Sequence, residues 1–139
     1  MCRNESPVES EVDPKKRGIG KTVLVVDDNP IIRGMIAAAF LSDGFGTCVE
    51  AENGKDGVDA AERARPDVII LDLSMPVMNG LEAASKLRRL LPKTPIILFS
   101  LYGDGVSQTA ASTAGVSAVL LKTLPLPTLI DKALELMSV

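Results

Sequence analysis

The stretch VIILDLSMPVMNG, residues 68–80, joins four consecutive apolar residues to a single carboxylate, Asp72, and then passes straight into turn-forming residues. A short, β-branched apolar run with no polar alternation reads as a strand buried on both faces, the pattern of a parallel sheet. Behind it, Met75-Pro76 fixes a loop and Asn79-Gly80 lets the chain turn into a following helix. Asp72 therefore stands where a buried strand gives way to a loop, a position that asks for partners.

The same alternation of strand and helix runs outward in both directions. TVLVV (22–26), TCVEA (47–51), IILFS (96–100) and AVLL (118–121) are further short apolar or β-branched segments. Segments of helical period lie between and after them. Ile31, Ile32, Met35, Ile36, Ala39 and Phe40 form one apolar stripe, with Pro30 placed for a first helical turn. Val58, Ala61 and Ala64 form a second, and Leu81, Ala84, Leu87 and Leu91 a third. QTAASTA (108–114) is a weak fourth, rich in Ser and Thr. Leu126, Leu129, Ile130, Ala133, Leu134 and Met137 make the clearest one. Five βα units require crossover connections, so the fold class expected is α/β: a doubly wound five-stranded parallel sheet with five helices; the order supposed for it is 2-1-3-4-5, the flavodoxin-like arrangement.

Composition narrows the function. The 139 residues suit one domain, with 46% hydrophobic and 24% charged residues. A net charge of −3 argues against a direct nucleic-acid or membrane-surface role. No apolar run approaches the roughly 20 residues of a membrane span, and residues 1–20 lack the apolar segment of a secretory signal, so a cytoplasmic location is expected. Those first 20 residues read as a flexible tail ahead of a domain at 21–139. Within the tail, GIGKT (18–22) imitates the end of a phosphate-binding loop, but it precedes a strand and has Lys15 where a Gly is required. Cys2 and Cys48 form no framework of bridges, and Cys48 reads as a small core residue. The chain has no His, which excludes a Ser-His-Asp triad and nearly excludes zinc.

In a doubly wound sheet, ligands bind beyond the carboxyl ends of the strands. Strand one ends in Asp27-Asp28, strand three in Asp72, strand four in Ser100 and strand five in Lys122. If the order is 2-1-3-4-5, strands one and three are neighbours and three carboxylates converge, and a cation is what makes such a cluster tolerable. All-oxygen ligation with open positions suits Mg²⁺ or Mn²⁺ and a phosphoryl group. A carboxylate can be the nucleophile and form an acyl phosphate. On this reading Asp72 attacks, Asp27 or Asp28 holds the metal, Lys122 takes a phosphoryl oxygen and Ser100 hydrogen-bonds the product. Taken singly, the two acids could cap the first helix, Asp72 could be a turn residue, Ser100 a strand-end hydroxyl and Lys122 a solvated charge. Their meeting at one sheet edge favours a site.

VVDDNP (25–30), LDLSMPVMNG (71–80), LFS (98–100) and LLK (120–122) resemble the receiver domain of bacterial two-component response regulators. The resemblance implies a signalling phosphoprotein that catalyses only its own phosphoryl transfer and dephosphorylation. It implies Asp72 as acceptor of phosphate from a histidine kinase or histidine phosphotransfer protein, with Mg²⁺ required. By position it implies metal ligation by the carboxylates of Asp28 and Asp72, by Asp27 often through water, and by the backbone carbonyl of Ser74. Because the chain stops soon after the last helix, the expected output is altered affinity for a protein target, as in stand-alone regulators.

Two positions depart from the family pattern. Val119 stands where an aromatic commonly swings inward on activation, and Thr123 replaces a Pro usually joined by a cis bond. A cis bond before Thr would cost about 2.5–4 kcal/mol, so a trans bond is expected. Tyr102, two residues beyond Ser100, is the only tyrosine of the chain, and the segment LYGDGVSQTAASTAG (101–115), with Gly103, Gly105 and Gly115, reads either as a mobile element or as an ordinary loose helix. An aspartate-nucleophile hydrolase would need an acid where Ser74 stands, and a dinucleotide-binding oxidoreductase would need glycines where the chain reads DDNP. A phosphorylation-independent binding module is the alternative reading.

Overall fold

The computed structural model describes residues 18–73, 75, 78–101 and 108–137. Residues 1–17 of the expected tail, Ser74, Tyr102, Gly103 and Gly105 lie outside that set. The elements run β1 (Thr22–Val26), α1 (Pro30–Ser42), β2 (Thr47–Ala51), α2 (Gly54–Ala64), β3 (Val68–Asp72), α3 (Gly80–Leu90), β4 (Ile96–Ser100), α4 (Gln108–Ala114), β5 (Ala118–Leu121) and α5 (Leu126–Met137). All neighbouring strands are parallel, in the order β2-β1-β3-β4-β5.

Strand alternation divides the core into two layers, because successive side chains point to opposite faces. Leu24, Val26, Ile69, Leu71, Ile96 and Leu98 meet Ala60, Ala61, Ala83, Ala84 and Leu87 of α2 and α3. Val23, Val25, Val68, Ile70, Ile97 and Phe99 meet Ile36, Phe40, Leu129, Ile130 and Leu134 of α1 and α5. Every residue of β3 and β4 is buried, which explains why these strands carry no apolar–polar alternation.

Three asparagines start three helices. The side chains of Asn29, Asn53 and Asn79 each accept backbone N–H bonds from the first turns of α1, α2 and α3, and Pro30 follows Asn29 in the first turn of α1. Since Asn29 is the cap, Asp27 and Asp28 are not needed in that role. The Asn79-Gly80 pair works differently from a positive-φ turn. A Cβ at Gly80 would collide with the carbonyl oxygen of Asp72 and lie 2.7 Å from the Leu73 Cα, and the Gly80 N–H donates to the Leu73 carbonyl at 2.8 Å. Glycine is there so that α3 can start against the end of β3.

The stripe expected on α1 is rotated. Ile36, Ala37 and Phe40 are buried, whereas Ile31 is 73% and Met35 57% exposed. The inward arc is centred between Ile36 and Phe40, and Arg33, one turn before Ile36 and Ala37, falls within it. At the amino end, Gly18–Gly20 form a turn whose Ile19 bridges Phe45 in antiparallel fashion, so packing reaches three residues ahead of β1's preceding Lys21. No cis peptide bond occurs among the described residues, Lys122–Thr123 included, and none of their helices is long and apolar enough to cross a membrane.

Candidate functional site

The carboxyl ends of β1, β3, β4 and β5 surround a cavity of about 230 Å³ lined by Asp27, Asp28, Asn29, Ile32, Asp72, Ser100, Leu101 and Lys122. Five residues singled out by their strand-end positions thus meet in one place: Asp27, Asp28, Asp72, Ser100 and Lys122. Asp27, Asp72 and Ser100 are almost fully buried and Asp28 is exposed. Asn29, Ile32 and Leu101 complete the lining and were not anticipated.

Register explains the convergence. Val26 pairs with both Ala51 and Leu71, so the next residues, Asp27 and Asp72, emerge together at the edge. Oxygen atoms of the Asp27, Asp28 and Asp72 carboxylates all lie within 4.8 Å of one another. Lys122 follows β5 directly, and its backbone N–H is tied to the Ser100 carbonyl at 2.7 Å. From there its side chain reaches behind the end of β4, and Nζ lies 2.8 Å from Asp27 Oδ2 and 3.2 Å from Asp72 Oδ1.

Burial by itself would pull the Lys122 ammonium below its ordinary value. The Asp27 hydrogen bond and charge, reinforced by Asp72, outweigh it and hold the group above that value. The lysine thus stays charged although its side chain is largely buried. Three carboxylates against one ammonium still leave an excess of negative charge, and the donor atoms are all oxygen, with neither thiolate nor imidazole. That set fits a hard divalent cation completed by water, Mg²⁺ above all.

Asp27 is fixed at every polar atom. Its N–H donates to the Ala51 carbonyl at 3.1 Å, Oδ1 accepts from the Asn29 N–H at 2.9 Å, and its carbonyl accepts from Arg33 Nη1 at 2.7 Å. Arg33 was missed because a lone Arg in an apolar helix reads as a solvated charge. The sequence carried no signal for it, because which arc of α1 turns inward is decided by packing.

Val119 lies on β5 opposite Leu98, partly buried and packed on the α2–α3–α4 layer. At the far end of α4, Arg88 of α3 donates from Nε at 3.0 Å and Nη2 at 2.8 Å to the Gly115 carbonyl. The C-terminal end of α4 is therefore tied to α3.

A five-stranded doubly wound domain with this acid, hydroxyl and ammonium set defines a class, and the chain belongs to the response regulator receiver domain family, whose model matches residues 23–134. These are the signalling domains of two-component systems, which receive phosphate from histidine kinases. The chain is 32% identical over 104 residues to the chemotaxis protein CheY of Thermotoga maritima, covering 75% of this chain and 87% of that protein. It is 37% identical over 102 residues to the nitrate/nitrite response regulator protein NarL of Escherichia coli, covering 73% of this chain but only 47% of that one. Among solved structures, Vibrio cholerae CheY4 superposes with a TM-score of 0.76 at 29% identity, over 84% of this chain and 98% of that one.

Proposed function

We propose that this receiver domain is a phosphoacceptor in a two-component or phosphorelay system, with Asp72 as the acceptor. The observation that carries this reading is Lys122 Nζ standing within 3.2 Å of Asp72 and 2.8 Å of Asp27, with Ser100 lining the same cavity. An Asp72 carboxylate oxygen attacks the phosphorus of a phosphohistidine on the kinase or phosphotransfer protein. The P–N bond breaks, the imidazole leaves with the bonding pair and takes up a proton, and Asp72 becomes an acyl phosphate. Little covalent work falls to the protein, so positioning and charge neutralisation dominate.

Each neighbour has a part in that transfer. Mg²⁺ would be held by the carboxylates of Asp28 and Asp72, by Asp27 and by the Ser74 carbonyl, and when bound it would supply charge neutralisation at the phosphoryl oxygens. The Lys122 ammonium turns from the Asp72 carboxylate to one phosphoryl oxygen, and the Ser100 hydroxyl donates a hydrogen bond to another. The output is a change in affinity for a protein target. Val119 has no ring to rotate, and the Lys122 N–H bonded to the Ser100 carbonyl at 2.7 Å links the two phosphate-contacting residues through the backbone.

Incubation with Mg²⁺ and a small acyl phosphate, followed by intact mass measurement, tests the reading. The wild type gains one phosphoryl group and Asp72→Asn gains none. An unmodified wild type would sink it in favour of a phosphorylation-independent binding module.

A further inference from the structure

The polar contacts of Asp27 lead out of the cavity to Arg33, which nothing in the phosphoacceptor reading employs. Its guanidinium donates from Nη1 to the Asp27 carbonyl at 2.7 Å and from Nε to Glu50 Oε1 at 3.0 Å. The Arg33 side chain is 17% exposed and that of Glu50 43%. Both partners are set by the fold. Glu50 stands two residues after Cys48 on β2, and Cys48 packs into the α1–α5 layer, so Glu50 shares that face and meets the inward arc of α1. The paired register of β1 ends at Val26, the Asp27 N–H still donates to the Ala51 carbonyl of β2, and the Asp27 carbonyl beyond it accepts from Arg33.

We propose that Arg33, anchored by Glu50, is a positioning residue for the acidic pocket: it fixes the Asp27–Asp28 peptide so that both carboxylates face Asp72. Because that peptide is planar, holding its carbonyl also fixes the direction in which Asp28 leaves the strand end. Asp28 is the exposed member of the three acids, so its placement depends most on the peptide behind it. The guanidinium fork suits this task, since two of its nitrogens serve two acceptors in a rigid plane, which a single ammonium cannot do. The proposal rests on the reading of the three acids as a Mg²⁺ site.

Charge and position predict opposite signs, which makes the inference testable without phosphorylation. Deleting a cation beside three carboxylates strengthens Mg²⁺ binding if Arg33 acts only through its charge. Loss of a group that orients a ligand weakens it, typically by about 10–100-fold. Mg²⁺ is titrated calorimetrically into the metal-free full chain, at a temperature where each variant shows a cooperative urea transition. We expect Arg33→Met to raise the Kd about tenfold, and the charge-balanced Arg33→Met/Glu50→Gln variant to be equally weak. Unchanged or tighter binding by Arg33→Met, or a double variant restored to wild-type affinity, would overturn the proposal. Should Arg33→Met fail to fold, Arg33→Lys carries the test, because it keeps the charge and loses the fork. Its Kd is expected to rise several-fold, and a wild-type value would overturn the proposal. A wild type that binds no Mg²⁺ removes the metal reading itself and this inference with it, an outcome distinct from a wild type that binds while the variants match it.

Discussion

Lys122 shows how one residue can serve stability and function with opposite demands. Its ammonium, 8% exposed, bridges Asp27 and Asp72, which are 2% and 7% exposed. Replacing it by Met leaves two buried carboxylates facing each other, a change that typically costs about 3–5 kcal/mol. The pH dependence has a definite sign. The folded-state value lies above the ordinary 10.5, so the lysine's contribution is fully present below 10.5 and lost as pH rises through the folded value. The urea midpoint of the wild type should therefore exceed that of Lys122→Met by a constant margin from neutral pH to about 10, and the margin should narrow only above that. A margin that already shrinks near pH 8 would show that the ammonium is not held by the two acids. At this scale the sequence was informative where a residue's place at a strand end carried meaning, as for Asp72, Ser100 and Lys122. It was silent on Arg33, whose role depends on a strand pairing between β1 and β2 and on how far α1 is rotated.

The elements around the site differ in how tightly they are tied to it, and two glycines measure the difference. Gly34 lies inside α1 with nothing within 4 Å of the position its Cβ would take, whereas a Cβ at Gly80 would strike the backbone of Asp72 and Leu73. The same substitution should have opposite effects. Gly34→Ala should stabilise the protein by about 0.5–1 kcal/mol, since it removes the helix-interior penalty of glycine without a clash. Gly80→Ala must push α3 away from the end of β3, at a cost of about 1–3 kcal/mol. It should also lower Mg²⁺ affinity, because the displaced backbone belongs to Asp72. Urea unfolding and calorimetric titration of both variants check this, and a Gly80→Ala protein with wild-type Mg²⁺ affinity would refute the coupling. Asn79-Gly80 was legible as a helix start, but not the reason for its glycine, which lies in contact with the end of β3 at Asp72. The rotation of α1 was likewise hidden: its apolar residues outnumber the positions the sheet can cover, and periodicity alone does not choose which arc turns inward.

For the whole molecule, the strand boundaries were readable because buried parallel strands are short, apolar and separated by helical segments, whereas the order of the sheet was a supposition that the resemblance to the receiver family supported and the structure bears out. Stability is less evenly distributed than that regularity suggests. The three central strands, β1, β3 and β4, are covered on both faces, and the edge strand β5 is only partly buried along its length. The three acids meet at the carboxyl ends of β1 and β3, two of the three interior strands, so their mutual repulsion acts on the well-packed middle of the fold. A cation that binds only the folded acids must then stabilise the whole domain. At a Mg²⁺ concentration of 100 times the Kd, linkage adds about 2.7 kcal/mol, which for a domain of this size corresponds to a rise in melting temperature of roughly 10 °C. Asp28→Asn should behave in the opposite way on both counts: without Mg²⁺ it should be slightly more stable than the wild type, by roughly half a kcal/mol, as expected for relief of repulsion at an exposed charge. With Mg²⁺ it should gain little. Thermal scans of the two proteins with chelator and with excess Mg²⁺ would therefore cross, the variant melting higher in chelator and the wild type higher in Mg²⁺. Parallel shifts in the two proteins would mean that the cation acts elsewhere on the surface and that the strand-end acids are not its site.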